Sequence, residues 1–338
     1  MADTLNAGMS SAIGVVVIGR NEGERLRHCL ASVCRMGRPV VYVDSGSTDA
    51  SVAIARSFGA EVVELDPARP FSAARARNEG HARLLEQWPA VSFVQFIDGD
   101  CTLLDGWLEA ALGALRDDPL RAAVVGHLQE RNADASPYNR LCALEWKSRP
   151  GDLQNFGGLG GIAAIRSDVL RELGGYNPQV IAGEDSELGV RMGLAGYKVT
   201  KLDLPMATHD ANMTSFQQWW RRSVRAGHAI GQRAHLNGQS AARDGLRERN
   251  STLFWGLALP VAIALTTVPT HGLSLLALGA YGLLGLRVWA GRRREGDSRA
   301  EAWLYTKFLL IAKFANAVGL LRFFFNRIVQ RYEIIEYK

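Results

Sequence analysis

Three stretches decide the fold: Val15-Val16-Val17-Ile18-Gly19-Arg20-Asn21-Glu22, Val40-Val41-Tyr42-Val43-Asp44-Ser45-Gly46-Ser47-Thr48-Asp49, and Ser92-Phe93-Val94-Gln95-Phe96-Ile97-Asp98-Gly99-Asp100. Each is an apolar, largely β-branched run that ends abruptly in a polar loop. Continuous runs of this kind suit strands buried on both faces. Between them lie segments of helical spacing, Glu24 to Met36, Ser51 to Phe58 and Ala73 to Gln87, with a further strand-like run at Ala60 to Leu65. Strands alternating with helices predict an α/β fold around a largely parallel sheet. Ligands bind such sheets at the carboxyl ends of the strands, so the three polar loops should gather at one edge.

The rest of the chain sets limits on this picture. Its 338 residues are 47% hydrophobic and 22% charged, with a net charge of +5, which suits a large folded core and excludes disordered and collagen-like classes. The charge is too mild to imply a nucleic-acid partner. Cys29, Cys34, Cys101 and Cys142 form no CxxC pair and no disulfide framework, so a reduced cytosolic compartment without a zinc site is expected. Residues 1–11 read as a polar tail without signal-peptide character.

The 12–249 segment reads as the catalytic domain. It closes with a basic, aromatic helix over 215–235 that carries Trp219, Trp220, Arg221, Arg222 and Arg225, as a helix lying in a membrane interface would. From Ser251 to Leu286 there is no Asp, Glu, Lys or Arg, and Pro269-Thr270-His271-Gly272 breaks the run near its middle. Each half is about 18 residues, near the ~20 that cross a bilayer. Arginines flank both ends, so a transmembrane hairpin over 250–291 with both ends cytoplasmic is expected. The tail, 292–338, mixes apolar residues with Lys307, Lys313, Arg322 and Arg327 and is expected to lie along the membrane surface.

Asp98-Gly99-Asp100 carries the clearest chemistry. Two carboxylates straddle a glycine that permits a sharp turn, and a divalent cation can bridge such carboxylates to a diphosphate. Together with the Gly19 to Glu22 and Asp44 to Asp49 loops, Ala76-Arg77-Asn78-Glu79-Gly80 and Gly183-Glu184-Asp185-Ser186-Glu187, the ordered set resembles the family 2 glycosyltransferases of the GT-A fold. That resemblance covers roughly Ile13 to Arg225. It implies a nucleotide-diphospho-sugar transferase fold, a Rossmann-like mixed sheet, followed here by C-terminal membrane helices. The nearest group looks like bacterial enzymes of cell-surface polysaccharide or glycolipid synthesis.

The resemblance also implies roles. Gly19, Arg20, Asn21 and Glu22 should line the nucleotide pocket. Asp44, with Ser45 and Gly46, should accept a hydrogen bond from the base. Arg75 or Arg77 should hold nucleotide or phosphate, although a solvated helix face explains them equally well. Asp98, beside Gly99, should contact ribose or metal. Asp100 should ligate Mg2+ or Mn2+, with His209 completing the shell. Asp185 is the expected catalytic base of an inverting transfer, with Glu184 the neighbouring alternative. Gly157-Gly158-Leu159-Gly160-Gly161 should lie beside donor sugar and acceptor. Gln218 and Arg221 match a Gln-x-x-Arg-Trp motif of processive members, but Arg222 stands in place of the Trp, so one hexose-like addition per acceptor is expected. Arg221 or Arg222 should clamp phosphate or meet lipid headgroups.

The expected activity is transfer from a nucleotide sugar, a UDP-sugar first, to a saccharide or lipid-linked acceptor. The expected place is the bacterial inner membrane, with the catalytic domain in the cytosol. The alternatives are a nucleotidyltransferase acting on sugar phosphates, disfavoured by Gly183-Glu184-Asp185, and a non-catalytic sugar-nucleotide-binding subunit, disfavoured by Asp98, Asp100 and Asp185. A dinucleotide oxidoreductase lacks its GxGxxG after the first strand.

Overall fold

The computed structural model describes residues 12–153 and 159–330. The polar tail 1–11 and the end of the basic tail, 331–338, fall outside them. The chain divides into two units, one running through Asn132 and resuming over Trp146–Ala211, the other comprising Ala133–Glu145 and the chain from Asn212 onward.

The first unit is a mixed sheet. Its strands are β1 (Ile13–Gly19), β2 (Val40–Asp44), β3 (Glu61–Glu64), β4 (Phe93–Asp98), β5 (Cys101–Leu103), β6 (Arg121–Glu130), β7 (Gly151–Asp152), β8 (Ala163–Arg166) and β9 (Lys198–His209). They lie in the order β3-β2-β1-β4-β8-β6-β9-β5, with β7 paired to β9. The four apolar runs of the sequence form the parallel part, with Val17 registered on Tyr42 and on Ile97. Beyond β4 the sheet turns mixed, since β8 runs antiparallel to both β4 and β6. β1, β2 and β4 are buried along nearly their whole length, because helices cover both faces.

The helices of this unit are α1 (Glu24–Cys34), α2 (Ser51–Ser57), α3 (Ala73–Gln87) and α4 (Trp107–Asp117), followed after the α5 segment of the second unit by α6 (Ser167–Glu172) and α7 (Glu184–Leu194). Ser72 caps α3 by accepting from the Arg75 amide. α3 sits hard on the sheet at Gly80, where an added Cβ would come within 2.5 Å of Val16 and 2.7 Å of Val43. Chain order reverses direction between β1 and β4, since β2 and β3 lie on one side of β1 and β4 on the other. That switch point is where an open α/β sheet offers a crevice.

The second unit is helical: α5 (Pro137–Glu145), α8 (Phe216–Asn237), α9 (Leu246–Leu253), α10 (Leu259–Thr266), α11 (Gly279–Arg294) and α12 (Arg299–Val329). A wide turn at Phe254–Ala258 joins α9 to α10 just ahead of Pro260. Proline removes an amide and crowds the preceding turn, and a π-type turn absorbs both effects. The expected basic helix is longer than its aromatic core, and it belongs to this unit, not to the sheet. Its small residues explain this: Gly227 meets the backbone of Asn316, and Gly231 meets Phe323 and Leu320, so α8 lies against α12 at close range. The boundary expected at 249 therefore falls at Ala211. The 292–338 tail contains the 31-residue helix α12. On it, Lys313 donates to the Ser251 hydroxyl at 3.0 Å and Lys307 lies over the Phe308 ring. The segments Leu273–Arg294 and Arg299–Val329 are both long and apolar enough to cross a bilayer.

Candidate active site

The three loops predicted to converge do so through hydrogen bonds. The Ser45 amide donates to the Gly19 carbonyl, and the Gly99 amide donates to the Ile18 carbonyl at 2.8 Å. Asn21, held at a φ of 55°, accepts from the Thr48 amide at 2.7 Å while its own amide donates to the Ser47 hydroxyl. The Ser51 hydroxyl accepts from the amides of Glu22 and Gly23. Arg20 lies over the Phe71 ring at 5.7 Å. Ser47, Ser51 and Phe71 were not singled out from sequence. Small hydroxyl residues near a turn carry too little signal until the partner loop is known.

The Tyr42 and Ser47 hydroxyls donate to Asp44 Oδ1, and the Gly46 and Ser47 amides donate to its Oδ2. A carboxylate has about four acceptor positions, so its own turn holds Asp44 in place. Beside it, burial and the Asp44 charge raise the Tyr42 phenol well above its ordinary range.

Arg75 and Arg77 of α3 are buried, not on a solvated face. Arg75 donates through Nε to Glu79 Oε1 at 2.6 Å and through Nη1 to the carbonyls of Asp66 and Arg69 at 3.0 and 2.9 Å, so it holds the loop after β3. Arg77 is 2% exposed and bridges two elements, donating to Glu184 Oε1 at 2.6 Å and to Asp98 Oδ1 at 2.8 Å. Its ring-face neighbour is Tyr176, 5.4 Å away. Despite its burial, the two carboxylates keep the Arg77 guanidinium firmly charged. Asn78 pins the adjoining loop, donating to the Tyr176 carbonyl and accepting from the Tyr176 amide.

Gly161 needs its missing side chain. A Cβ there would lie 2.8 Å from Arg77 Nη2 and 2.9 Å from Asp98 Oδ2. The carbonyl of Gly161 also accepts from Arg77. Gly160 precedes it at a φ of 67°. Gly157 and Gly158 lie outside the described residues.

Glu184 and Asp185 open α7. Asp185 is half-buried, and its carboxyl is pushed up to about 6, first by burial and then by the Glu184 charge. A carboxylate of that strength remains ionised at neutral pH and takes a proton readily.

Asp100 is 5% exposed, with Oδ2 3.5 Å from His209 Nε2. His209 is the last residue of β9. Its Nδ1 faces Glu130 Oε2 at 3.0 Å, and Trp146 meets the ring edge-on at 4.8 Å. Donation from Nδ1 to Glu130 leaves Nε2 with its lone pair turned toward Asp100, the tautomer a metal ligand needs. The donor set of carboxylate and imidazole, with an acid behind the imidazole, fits a divalent cation. Nothing local in the sequence points to Glu130, because only the β6–β9 pairing brings it to His209.

Gln218, Arg221 and Arg222 belong to the second unit. Gln218 completes a capping box with Ser215 at the start of α8, and Arg222 pairs with Glu145 at 2.7 Å.

Residues 14–174 match the model of glycosyl transferase family 2. The pre-mycofactocin glycosyltransferase of Mycobacterium tuberculosis is 29% identical over 221 residues, 63% of this chain and 45% of that protein. An O-antigen chain rhamnosyltransferase of Salmonella typhimurium is 28% identical over 195 residues, 54% of this chain and 60% of that protein. The chain thus spans about half the length of these relatives. Among solved structures, the mannosyltransferase of Pyrobaculum calidifontis in complex with GDP-Man and Mn2+ superposes with a TM-score of 0.57 at 20% identity, covering 92% of this chain and 87% of that one. The first unit has the GT-A fold.

Proposed function

We propose that this chain, whose residues 14–174 match glycosyl transferase family 2, is an inverting, metal-dependent transferase of that family that moves a sugar from a nucleotide-diphosphate donor, a UDP-sugar first, to a saccharide acceptor at a membrane. One observation carries the proposal. Buried Arg77 ties Asp98, the last residue of β4 and two before Asp100, to Glu184, beside Asp185, so the cation-binding loop and the basic carboxylate share one site.

The loop cluster of Gly19–Glu22 and Asp44–Thr48 forms the wall that receives the nucleotide. Asp98, fixed by Arg77, faces its ribose and diphosphate. Asp100 and His209 would hold Mg2+ or Mn2+, which when bound supplies positive charge to a departing diphosphate. Asp185 accepts the proton of the acceptor hydroxyl as that oxygen attacks the anomeric carbon from the face opposite the leaving group. Glu184, neutralised by Arg77, orients the pair and is not the base. Gly161 lets backbone lie flush against Asp98, where a side chain would fill the space a donor sugar needs.

Membrane association has its own support. Leu276, Leu283 and Ile328 are 78%, 70% and 81% exposed, on segments whose composition suits a bilayer. A lipid-linked acceptor on the cytosolic face of a bacterial inner membrane, in the synthesis of a surface polysaccharide or glycolipid, is the natural substrate of such an arrangement.

The test is nucleotide release and sugar transfer by the full chain in detergent, across UDP-, GDP- and dTDP-sugars with Mn2+ or Mg2+, with and without chelator. Turnover of one donor that disappears with chelator, and in Asp100→Ala and Asp185→Ala, is the expected result. Binding of no sugar nucleotide at all refutes the proposal.

A further inference from the structure

β5 runs antiparallel to β9 with Cys101 registered directly opposite His209. Cross-strand partners project to the same face with Cβ atoms about 4.5–5.5 Å apart. Cys101 is 1% exposed, and its Sγ lies 3.3 Å from Asp100 Oδ1. The other oxygen of the same carboxylate lies 3.5 Å from His209 Nε2. Carboxylate, thiol and imidazole each offer a ligand atom within 4.8 Å of the others. Ligands at the usual zinc distances, ~2.0–2.3 Å, stand about 3.4–3.6 Å from one another around a tetrahedral ion. The thiol and the imidazole each stand close to that distance from the Asp100 carboxylate, on its two different oxygens.

We propose that Cys101 is a third ligand of this cation site toward thiophilic ions, so that Zn2+, Cd2+ and Co2+ take Asp100, His209 and the Cys101 sulfur. Mg2+ and Mn2+ take only the oxygen and nitrogen donors. The proposal rests on Asp100 and His209 being the cation ligands. Hard ions prefer oxygen and leave the thiol protonated, donating to Asp100. A thiophilic ion forms a metal–sulfur bond as the S–H bond breaks. The proton passes to solvent and nothing is oxidised or reduced. Cys101 thereby sets which metals compete for the site, a property that neither Asp100 nor His209 confers.

The experiment uses the full chain in detergent. Co2+ is titrated and sulfur-to-cobalt charge-transfer absorption is followed in the near ultraviolet, with Cys34→Ser as a control for a half-buried thiol elsewhere. The parent and Cys34→Ser proteins are expected to show the band, and Cys101→Ser to lack it. Cd2+ affinity should fall at least about 10-fold in Cys101→Ser, since even loss of an outer partner of a ligand costs that much. Cys101→Ala, which removes the sulfur without burying a hydroxyl, repeats the measurement should the serine variant fail to fold. Mn2+ binding to the parent, read by electron paramagnetic resonance, reports on Asp100 and His209 separately. If Mn2+ binds but Co2+ gives no sulfur band, the proposal is overturned, the cation site stands, and Cys101 is only a hydrogen-bond donor beneath Asp100. If neither ion binds, the cation site itself is refuted, and the proposal with it.

Discussion

Replacing Arg77 by Met tests the bridge that assembles the site. The side chain keeps its apolar stem but loses both ion pairs. The two pairs differ in worth. Asp98 is 39% exposed, so solvent screens its share to about 0–1 kcal/mol. Glu184 is 9% exposed, and removing one partner of a buried pair costs about 3–5 kcal/mol because the remaining charge is stranded. For a unit of this size each kcal/mol lowers Tm by about 2–4 °C, so a drop on the order of 10 °C is expected. The assay is thermal unfolding of the detergent-purified chain, followed by intrinsic fluorescence, for Arg77→Met, Glu184→Gln and the double variant. If the stranded charge is the cause, Glu184→Gln restores much of the loss, and the double-mutant cycle gives a coupling well above ~0.5 kcal/mol. A coupling below that value, or a double variant as unstable as the sum of its parts, refutes the bridge as the element that joins the two loops.

Further outcomes follow from the structure. The Asp185 carboxyl is pushed up to about 6, so the transfer rate should fall as pH drops below that value and its base becomes protonated. Glu184→Gln removes a neighbouring negative charge and should move this acidic limb to lower pH, whereas Arg77→Met removes a positive one and should move it higher, both read from pH–rate profiles. Asp185→Asn should retain donor binding by calorimetry while losing about 10^2–10^4-fold in rate. Glu130→Gln should weaken Mn2+ binding about 10–100-fold, although it touches no ligand atom of the cation, because it frees the His209 ring. Gly80→Ala should cost about 1–3 kcal/mol of stability by forcing α3 off the sheet at Val16 and Val43, read as a lower Tm.

The parallel half of the sheet, its helices and the three converging loops were legible from residues alone. Hydrophobic runs report burial on both faces, and chain order then dictates that polar loops after parallel strands meet at one edge. Asp100 and the acid pair at Glu184 and Asp185 stood out for a related reason, since each belongs to a short local motif at the end of an element. What tertiary structure decided was how polar side chains are spent. Arg75 and Arg77 sit two residues apart on α3, and no local pattern distinguishes them. Yet one is consumed by loop carbonyls and the other joins Asp98 to Glu184, residues 21 and 107 positions from it. Asp44 turns inward because Ser47 and Tyr42 surround it, and His209 acquires Glu130 and Cys101 only through strand pairing. Periodicity is a property of neighbours in the chain. Hydrogen-bond satisfaction and charge pairing are properties of neighbours in space, and most of those neighbours are set by the sheet order.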